Sequence, residues 1–168
     1  EESRIYDGQR VTFRPTKPVD GRLIQEHFYN MDDQDVQTRF FFTRRSFYRE
    51  DVEAMVQVDY IKNFSIVAVT GELGFEKIIG IGEYALEHGT VAEVAFSTSK
   101  EWQGKGIAGV LLGKISEAAR ENGITTLVAY TLPANVGMIK LFKKLPYKIE
   151  TVYEEGTVVL RCNFEPKI

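Results

Sequence analysis

Cysteine is almost absent from this sequence, and the single thiol limits the chemistry that the chain supports. Cys162 has no second cysteine with which to form an internal disulfide, so the composition is typical of a reducing compartment, and we expect a cytoplasmic location. The apolar residues 158–160 that precede it predict a buried thiol with a structural role rather than a nucleophile. The two histidines, His27 and His88, have no partner at metal-ligand spacing, so we expect no zinc site.

Long apolar runs and a strong excess of one charge are also missing. No apolar stretch approaches the length needed to cross a membrane, and no signal peptide is visible. The formal net charge of -3 gives no sign of a surface for nucleic acid. We therefore expect neither a membrane nor a nucleic acid among the partners.

The length and composition are those of one ordinary globular domain. The chain has 168 residues, of which 43% are hydrophobic and 27% charged, enough to bury a sizeable core. We expect residues 1–168 to form a single domain. Because the chain begins with Glu1-Glu2-Ser3 and not with methionine, this domain also fits a segment of a longer polypeptide.

Two glycines stand at a predicted strand-to-helix junction, in the hexapeptide Gln103-Gly104-Lys105-Gly106-Ile107-Ala108. The strand covers 91–97 and the helix about 107–122. The first N–H groups of a helix have no intrahelical partner and lie at the positive end of its dipole. Glycine permits positive φ and close approach of a ligand to the backbone. The hexapeptide therefore predicts a site for a phosphate or pyrophosphate, with the backbone N–H groups of residues 104–108 as donors.

Three nucleotide-binding patterns compete for this loop. A P-loop is excluded because no Gly-Lys-Ser or Gly-Lys-Thr follows at the required gap. Residues 104–109 match G-x-G-x-x-G, but six residues separate the strand from the first glycine, and the next predicted strand, 126–131, ends without an acid for a ribose. A third pattern, Gln/Arg-x-x-Gly-x-Gly/Ala, is matched at every specified position by Gln103, Gly106 and Ala108.

The third pattern resembles the pyrophosphate loop of the GNAT superfamily of N-acetyltransferases, which bind acetyl-CoA there and transfer the acetyl group to an amine. The predicted order of elements is also similar to that family. An antiparallel meander (64–70, 77–87 and 91–97) is followed by the loop and helix and by a strand. A helix over 136–144, which Asn135 can cap, and a hairpin of 147–154 and 157–164 around Glu155-Gly156 then close the order. The resemblance implies an α+β GNAT fold, with a mixed, mostly antiparallel sheet that is splayed at the cofactor cleft and flanked by helices.

The first third of the sequence predicts a strand that begins near Arg10, a helix over 21–29 with Asp20 as its N-cap, and two more helices, 33–39 and 49–58. Three phenylalanines and three arginines within 39–45 fit either a substrate rim or a buried aromatic hinge. Segments 38–45, 51–60 and 65–69 resemble the acetyltransferase domain of bacterial protein lysine acetyltransferases, which modify acyl-CoA synthetases. This narrower resemblance implies a protein lysine as acceptor, on a target of the acyl-CoA synthetase kind.

Acetyl transfer to a lysine needs a base, because an amine with a pKa of about 10.4 is almost wholly protonated at pH 7. The resemblance implies that Glu93, in Ala92-Glu93-Val94, is that base. We expect burial among Val91, Val94 and Phe96 to raise its pKa into a useful range. Alternatively Glu93 faces solvent, or Glu83 on the neighbouring strand is the base.

The same resemblance implies the contacts with acetyl-CoA. A backbone N–H near Ala95 or Phe96 would hold the thioester oxygen, and Asn135 and Met138 match a segment that lies against pantetheine. Many family members have a tyrosine as general acid at the position of Phe142, which cannot donate a proton; water, Tyr130 or Tyr147 are the alternatives. The expected cofactor contacts are Ala95, Phe96, Ser97, Gln103, Gly104, Lys105, Gly106, Ile107, Ala108, Asn135, Met138 and Phe142.

Together these features predict an acetyl-CoA-dependent N-acetyltransferase that transfers the acetyl group directly to an amine, with a protein lysine as the favoured acceptor. A small-molecule amine is the first alternative. The second is a non-catalytic CoA-sensing domain, which the loss of a tyrosine at Phe142 favours and the presence of Glu93 opposes.

Overall fold

An eight-stranded mixed sheet forms the centre of the computed structural model, which describes residues 1–29, 63–71 and 74–166. The strands are β1 (Glu2–Tyr6), β2 (Gln9–Pro15), β3 (Asn63–Thr70), β4 (Lys77–His88), β5 (Val91–Thr98), β6 (Thr126–Thr131), β7 (Tyr147–Glu154) and β8 (Thr157–Pro166). Their order across the sheet is β1-β2-β3-β4-β5-β6-β8-β7. Every neighbouring pair is antiparallel except β5 and β6, which confirms the predicted mixed, mostly antiparallel sheet.

Helices cover both faces of this sheet. Helix α1 (Gly21–Tyr29) packs on one face, where Ile24 and Phe28 join apolar side chains of β3, β4 and β5. Helices α2 (Ile107–Glu121) and α3 (Val136–Lys143) pack on the other face, over the larger of the two cores. The predicted helices at 33–39 and 49–58, and the aromatic and basic residues at 39–45, lie outside the described residues.

The prediction that the first strand begins near Arg10 was wrong, because β1 precedes it. Strand β1 pairs with β2 through a tight turn at Asp7 and Gly8, whose φ angles are 49° and 82°. Two successive residues at positive φ form the turn that best matches the twist of a hairpin, and Asp-Gly is a preferred sequence for it.

The predicted capping role of Asp20 was also wrong. Its carboxylate accepts two hydrogen bonds from the Arg14 guanidinium, at 2.7 and 2.8 Å, and one from the Lys17 backbone N–H at 2.7 Å. Burial alone raises the pKa of the Asp20 carboxyl, but the bonds from Arg14 and Lys17 outweigh it and hold the pKa below its usual value. Asp20 therefore joins the start of α1 to the end of β2.

The glycines of β4 allow α2 to lie close to the sheet. A Cβ atom on Gly80 would be 3.1 Å from Ile107 Cγ2, and one on Gly82 would be 3.2 Å from Leu111 Cβ. Both distances are shorter than ordinary van der Waals contact. The β4 backbone therefore lies directly under the first turns of α2 and fixes where the N-terminus of this helix points.

Strands β5 and β6 separate soon after they pair. Their parallel register contains only three pairs, of which Glu93 with Val128 is the last. Strand β5 continues beside β4 to Thr98, whereas β6 continues beside β8 to Thr131. The sheet thus opens into a V with its apex at Glu93, which confirms the predicted splay.

Candidate functional site

A cavity of about 300 Å³ occupies the opening of the V, at the N-terminal end of α2. Its walls come from the end of β5, the loop that follows, the first turn of α2 and the start of α3. The lining residues are Phe96, Ser97, Thr98, Trp102, Gln103, Gly104, Gly106, Ile107, Ala108, Gly109, Asn135, Gly137, Met138 and Leu141. Nine of the twelve residues expected to contact a cofactor are among them.

The loop before α2 has the geometry of an anion site. Gly106 is the N-cap of α2 at φ 90°, and Gly104 has φ 79°. Among the residues that the structure describes, no side chain caps the helix, and a Cβ atom on either glycine would meet no atom within 4 Å. A 15-residue helix therefore presents its first N–H groups and its dipole to open space beside the cavity, an arrangement that fits a pyrophosphate.

The side chains of Gln103 and Lys105 point in different directions. Gln103 donates a hydrogen bond to the Thr98 carbonyl oxygen at 3.1 Å, which ties the loop to the end of β5. Lys105 forms an ion pair with Asp7 in the β1–β2 turn, and its ammonium lies 5.9 Å from the centre of the Trp102 ring. Gln103 thus lines the cavity, whereas the Lys105 side chain lies outside it.

Asn135 holds the far wall of the cavity in place. Its side-chain oxygen accepts a hydrogen bond from the Met138 N–H at 3.2 Å, which confirms the predicted N-cap of α3. Both residues are buried and line the cavity. The expected pair of Asn135 and Met138 therefore stands opposite the glycine loop.

Ala95 and Phe142 do not line the cavity. Phe142 is wholly buried in the core between α3 and the sheet. Ala95 is 2% exposed and packs on the opposite face, in the cluster beneath α1. The side chain at position 142 therefore lies in the core, and it provides no hydroxyl group to the cavity.

One wall of the V carries backbone donors. The Ser99 N–H donates to the Ile79 carbonyl at 2.8 Å. Because alternate residues of an antiparallel strand bond to the same neighbour, the backbone N–H and C=O groups of Phe96 and Thr98 point away from β4. The Thr98 carbonyl accordingly accepts from Gln103. The Phe96 N–H points to the side where β6 has diverged and is placed to donate to an oxygen in the cleft.

Glu93 and Glu83 lie on the α1 face of the sheet. Glu83 is directly opposite Ala95, and Glu93 precedes Ala95 by two residues, so the two carboxylates are diagonal neighbours with about 7–8 Å between their backbone positions. Both side chains are half-buried. Their position on this face places two carboxylates beside the apex of the V.

The expected surroundings of Glu93 were partly wrong. Val94 and Phe96 alternate with Glu93 along β5, and both belong to the core on the opposite face, under α2. Residues adjacent in a strand point to opposite sides, so neither side chain buries the Glu93 carboxylate. Burial and then Glu87 are the main causes of the raised pKa of Tyr130, and the charge of Glu93 adds to them.

Neither tyrosine proposed as a replacement acid lines the cavity. The Tyr130 hydroxyl donates to Glu87 at 3.1 Å, and burial, with Glu87 and Glu93 nearby, raises its pKa to about 12. The Tyr147 hydroxyl accepts a hydrogen bond from Arg120 at 2.7 Å and its ring packs against Phe164. Both hydroxyls are therefore engaged away from the glycine loop.

Five cavity residues had not been expected: Thr98, Trp102, Gly109, Gly137 and Leu141. Leu141 follows Met138 by three residues, so the spacing of a helix face could have found it. Trp102 precedes the glycine loop directly and was overlooked as part of the connecting segment. Cys162 is fully buried as predicted, and burial raises its pKa to about 12.

Within residues 1–29, 63–71 and 74–166, no three or more His, Cys, Asp or Glu side chains are grouped so as to hold a metal ion. Over the same ranges, no helix has both the length and the apolar character needed to cross a membrane.

Comparison with known proteins assigns this arrangement to a family. The model of the acetyltransferase (GNAT) family matches residues 28–147, which is most of the chain. The chain belongs to the acetyltransferase (GNAT) family. Its sheet, splayed strands and glycine loop accordingly confirm the GNAT fold that the sequence predicted.

Relatives of known structure or activity support the same placement. Acetyltransferase Pat of Mycolicibacterium smegmatis is 28% identical over 144 residues, which are 84% of this chain and 42% of that protein. The GNAT domain of S. lividans PAT superposes with a TM-score of 0.81 at 27% identity, covering 97% of this chain and 96% of that domain. The paia N-acetyltransferase from Thermoplasma acidophilum, solved with coenzyme A, has a TM-score of 0.72 at 14% identity and covers 92% and 99%. This chain thus spans less than half the length of Pat.

Proposed function

We propose that this chain binds acetyl-CoA in the V and transfers its acetyl group directly to an amine. The observation that carries the proposal is the uncapped N-terminus of α2, with Gly104 and Gly106 at positive φ, facing a cavity of about 300 Å³ between two separated strands. A relative of the same fold has been solved with coenzyme A. Acetyl-CoA would supply an acetyl group activated as a thioester.

Each end of the cavity has a separate task in this proposal. The backbone N–H groups from Gly104 to Ala108 bind the pyrophosphate, because a helix N-terminus favours anions. Asn135, Met138 and Leu141 form the opposite wall, which fits the pantetheine arm. The Phe96 N–H donates to the thioester oxygen, on which negative charge develops during attack by the amine.

Glu93 takes the proton from the amine. It stands at the last pair of β5 and β6, where the V begins, and it faces the α1 side of the sheet. A carboxylate there attracts the ammonium form of the acceptor and can remove its proton directly or through a water molecule. Glu83, its diagonal neighbour, is the alternative base.

Water is the acid that we propose for the departing thiolate. No tyrosine hydroxyl lines the cavity among the described residues, and Tyr130 and Tyr147 are bonded elsewhere. A thiol has a pKa of about 8.5, so protonation of its thiolate by solvent is not demanding. The phenylalanine at position 142 is thus compatible with an active enzyme.

The acceptor that we propose is a protein lysine, on a target of the acyl-CoA synthetase kind. The proposal draws on the resemblance of segments 38–45, 51–60 and 65–69 to bacterial protein lysine acetyltransferases and on the similarity to Pat. A small-molecule amine and a CoA-sensing role without catalysis are the other outcomes of the test. The lack of a second cysteine for Cys162 supports a cytoplasmic location.

The test combines product analysis with pH–rate profiles. Purified protein and acetyl-CoA are incubated with candidate proteins and small amines, and the products are identified by mass spectrometry. We expect Glu93→Gln to lose about 10²–10⁴ in turnover near neutral pH, with acetyl-CoA binding nearly unchanged. The loss of turnover should shrink as the pH approaches the pKa of the free amine, because more of the amine is then already neutral.

Two matched variants decide between the carboxylates. The variants compared are Glu83→Gln and Glu93→Gln. Glu87→Gln is the control, because it removes a charge from the same strand as Glu83 while the Glu87 carboxylate is bonded to Tyr130. If Glu83→Gln loses turnover and Glu93→Gln does not, the base has been assigned to the wrong residue. Acetyl-CoA binding without turnover on any acceptor would favour the sensing role.

A further inference from the structure

A buried histidine links α1 to the strand that forms one wall of the V. His27 lies in the last turn of α1 and is 3% exposed. Its Nδ1 atom is 3.1 Å from the Ile78 carbonyl oxygen, and its Nε2 atom is 2.7 Å from Ser97 Oγ. Ser99 Oγ lies 3.3 Å from Nδ1. One imidazole thus touches β4 and two serines at the end of β5.

The hydrogen-bond partners of the His27 ring determine which of its nitrogen atoms carries a hydrogen. A carbonyl oxygen can only accept, so Nδ1 carries the hydrogen and donates it to Ile78. In the neutral ring Nε2 then has a lone pair, which accepts the hydroxyl hydrogen of Ser97. Burial supports the neutral form, since it lowers the His27 pKa to about 4. The Ser97 hydroxyl is therefore oriented towards α1.

Ser97 lies in the part of β5 that has lost its partner strand, and Ser99 directly follows that part. Beyond Glu93, β5 has no pairing with β6. The Phe96 N–H, proposed above as the donor to the thioester oxygen, lies directly before Ser97. Thr98 stands between the two serines and accepts the hydrogen bond from Gln103. A shift of Ser97 would therefore move the Phe96 N–H, whereas the glycine loop is also held by its junction with α2 at Gly106.

We propose that His27 is a positioning residue for acetyl transfer, which fixes β5 beyond the apex of the V by holding Ser97 through Nε2 and β4 through Nδ1. The inference rests on the proposed function. His27 lies on the α1 face of the sheet and does not line the cavity, so it acts through Ser97, which does. Its role is to keep the Phe96 N–H aligned on the reacting oxygen.

Three substitutions separate this role from simple packing. His27→Phe fills the space without either bond, His27→Gln can both donate and accept, and Ser97→Ala removes one bond and leaves the ring. Misplacement of a reacting group by an ångström can cost about 10²-fold in rate. We expect His27→Phe and Ser97→Ala each to lower kcat about tenfold or more, and the double variant to lose little further because both act on one contact. His27→Gln should recover most of the activity.

The affinity for acetyl-CoA should change little in His27→Phe and His27→Gln, because the anion end of the cavity is built on α2 and His27 does not line the cavity. Ile24→Val loosens α1 on the same face without touching Ser97, and is the control for general destabilisation. Equal losses in kcat and in acetyl-CoA affinity, or a loss in Ile24→Val as large as that in His27→Phe, would overturn the inference. So would full activity in Ser97→Ala.

A spectroscopic measurement tests the same contact without turnover. The ¹⁵N shifts of His27 at neutral pH should show a neutral ring protonated on Nδ1, and the Phe96 amide resonance should move in His27→Phe and return in His27→Gln. A ring protonated on Nε2, or an unmoved Phe96 resonance, refutes the inference. If the wild-type protein neither binds nor uses acetyl-CoA, the proposed function fails, while the resonances still decide whether His27 positions β5.

Discussion

Replacing Gly80 by alanine tests whether the close packing of α2 on β4 determines the position of the anion site. The new Cβ atom would lie 3.1 Å from Ile107 Cγ2 and 3.2 Å from Leu111 Cδ1, so the helix or the strand must give by a few tenths of an ångström. Overpacking of a filled core costs about 1–3 kcal/mol. Replacing glycine also lowers the conformational entropy of the unfolded chain, which offsets about 0.4–1 kcal/mol of this cost. We expect a net loss of about 1–2 kcal/mol of unfolding free energy.

Thermal and urea unfolding measure this loss, and Gly113→Ala is the matched control. Gly113 lies within α2, and a Cβ atom there would meet no atom of the described part of the chain within 4 Å. Alanine should therefore stabilise the helix by about 0.5–1 kcal/mol. A change of 1 kcal/mol corresponds to about 2–4 °C in Tm for a chain of this size. We expect Tm to fall by about 2–8 °C in Gly80→Ala and to rise by about 1–4 °C in Gly113→Ala.

The same pair of variants is informative about the site. Ile107 is the first residue of α2 and lines the cavity, so pressure from a side chain at position 80 acts on the junction of loop and helix. We expect acetyl-CoA affinity to fall in Gly80→Ala and to be unchanged in Gly113→Ala. If Gly80→Ala is as stable as the wild type and binds acetyl-CoA equally well, the close approach of β4 and α2 does not fix the site.

Two further outcomes concern parts of the chain away from the cavity. The folded-state pKa of Asp20 is lowered, so its contribution to stability is complete above the pKa of a free aspartate and is lost as the pH falls through about 4 and below. The free energy of unfolding in urea should therefore decline less between pH 7 and pH 3 in Asp20→Asn than in the wild type. Equal declines would contradict the role of the Arg14 pair. Cys162, buried and with a pKa raised to about 12, should react with iodoacetamide at pH 8 only when the chain is unfolded, and rapid labelling of the folded protein would contradict its burial.

The features that the sequence predicted correctly depend on neighbouring residues. The hairpin turn at Glu155 and Gly156 has φ angles of 46° and 81°, and two successive residues at positive φ form the turn that matches the twist of a hairpin. Asn135 caps α3 three residues before the N–H that it binds. The glycines of the loop before α2 likewise adopt positive φ where strand gives way to helix. Each of these signals is local and so is visible in one sequence.

The features that were missed depend on distant parts of the chain. Asp20 could have capped α1, but Arg14 from the preceding strand and the Lys17 N–H attract its carboxylate instead. His27 binds a carbonyl 51 residues away and a serine 70 residues away, and no local pattern announces such partners. The turn at Asp7 was overlooked because β1 is too polar to show the alternation of a half-buried strand.

The most direct test of the central claim measures acetyl-CoA binding by calorimetry in the wild type and in Gly106→Val. A side chain at φ 90° in the open loop would obstruct the N–H groups that face the pyrophosphate. Loss of one or two charge-assisted hydrogen bonds predicts a fall in affinity of about tenfold to a hundredfold or more.

Gly156→Val is the control, since Gly156 lies in the β7–β8 turn at φ 81°, where a Cβ atom would have no described residue within 4 Å. It should carry the same backbone strain and bind acetyl-CoA normally, while circular dichroism shows that both variants remain folded. Affinity unchanged in Gly106→Val, or NAD bound by the wild type as tightly as acetyl-CoA, would contradict the assignment of the V as an acetyl-CoA site.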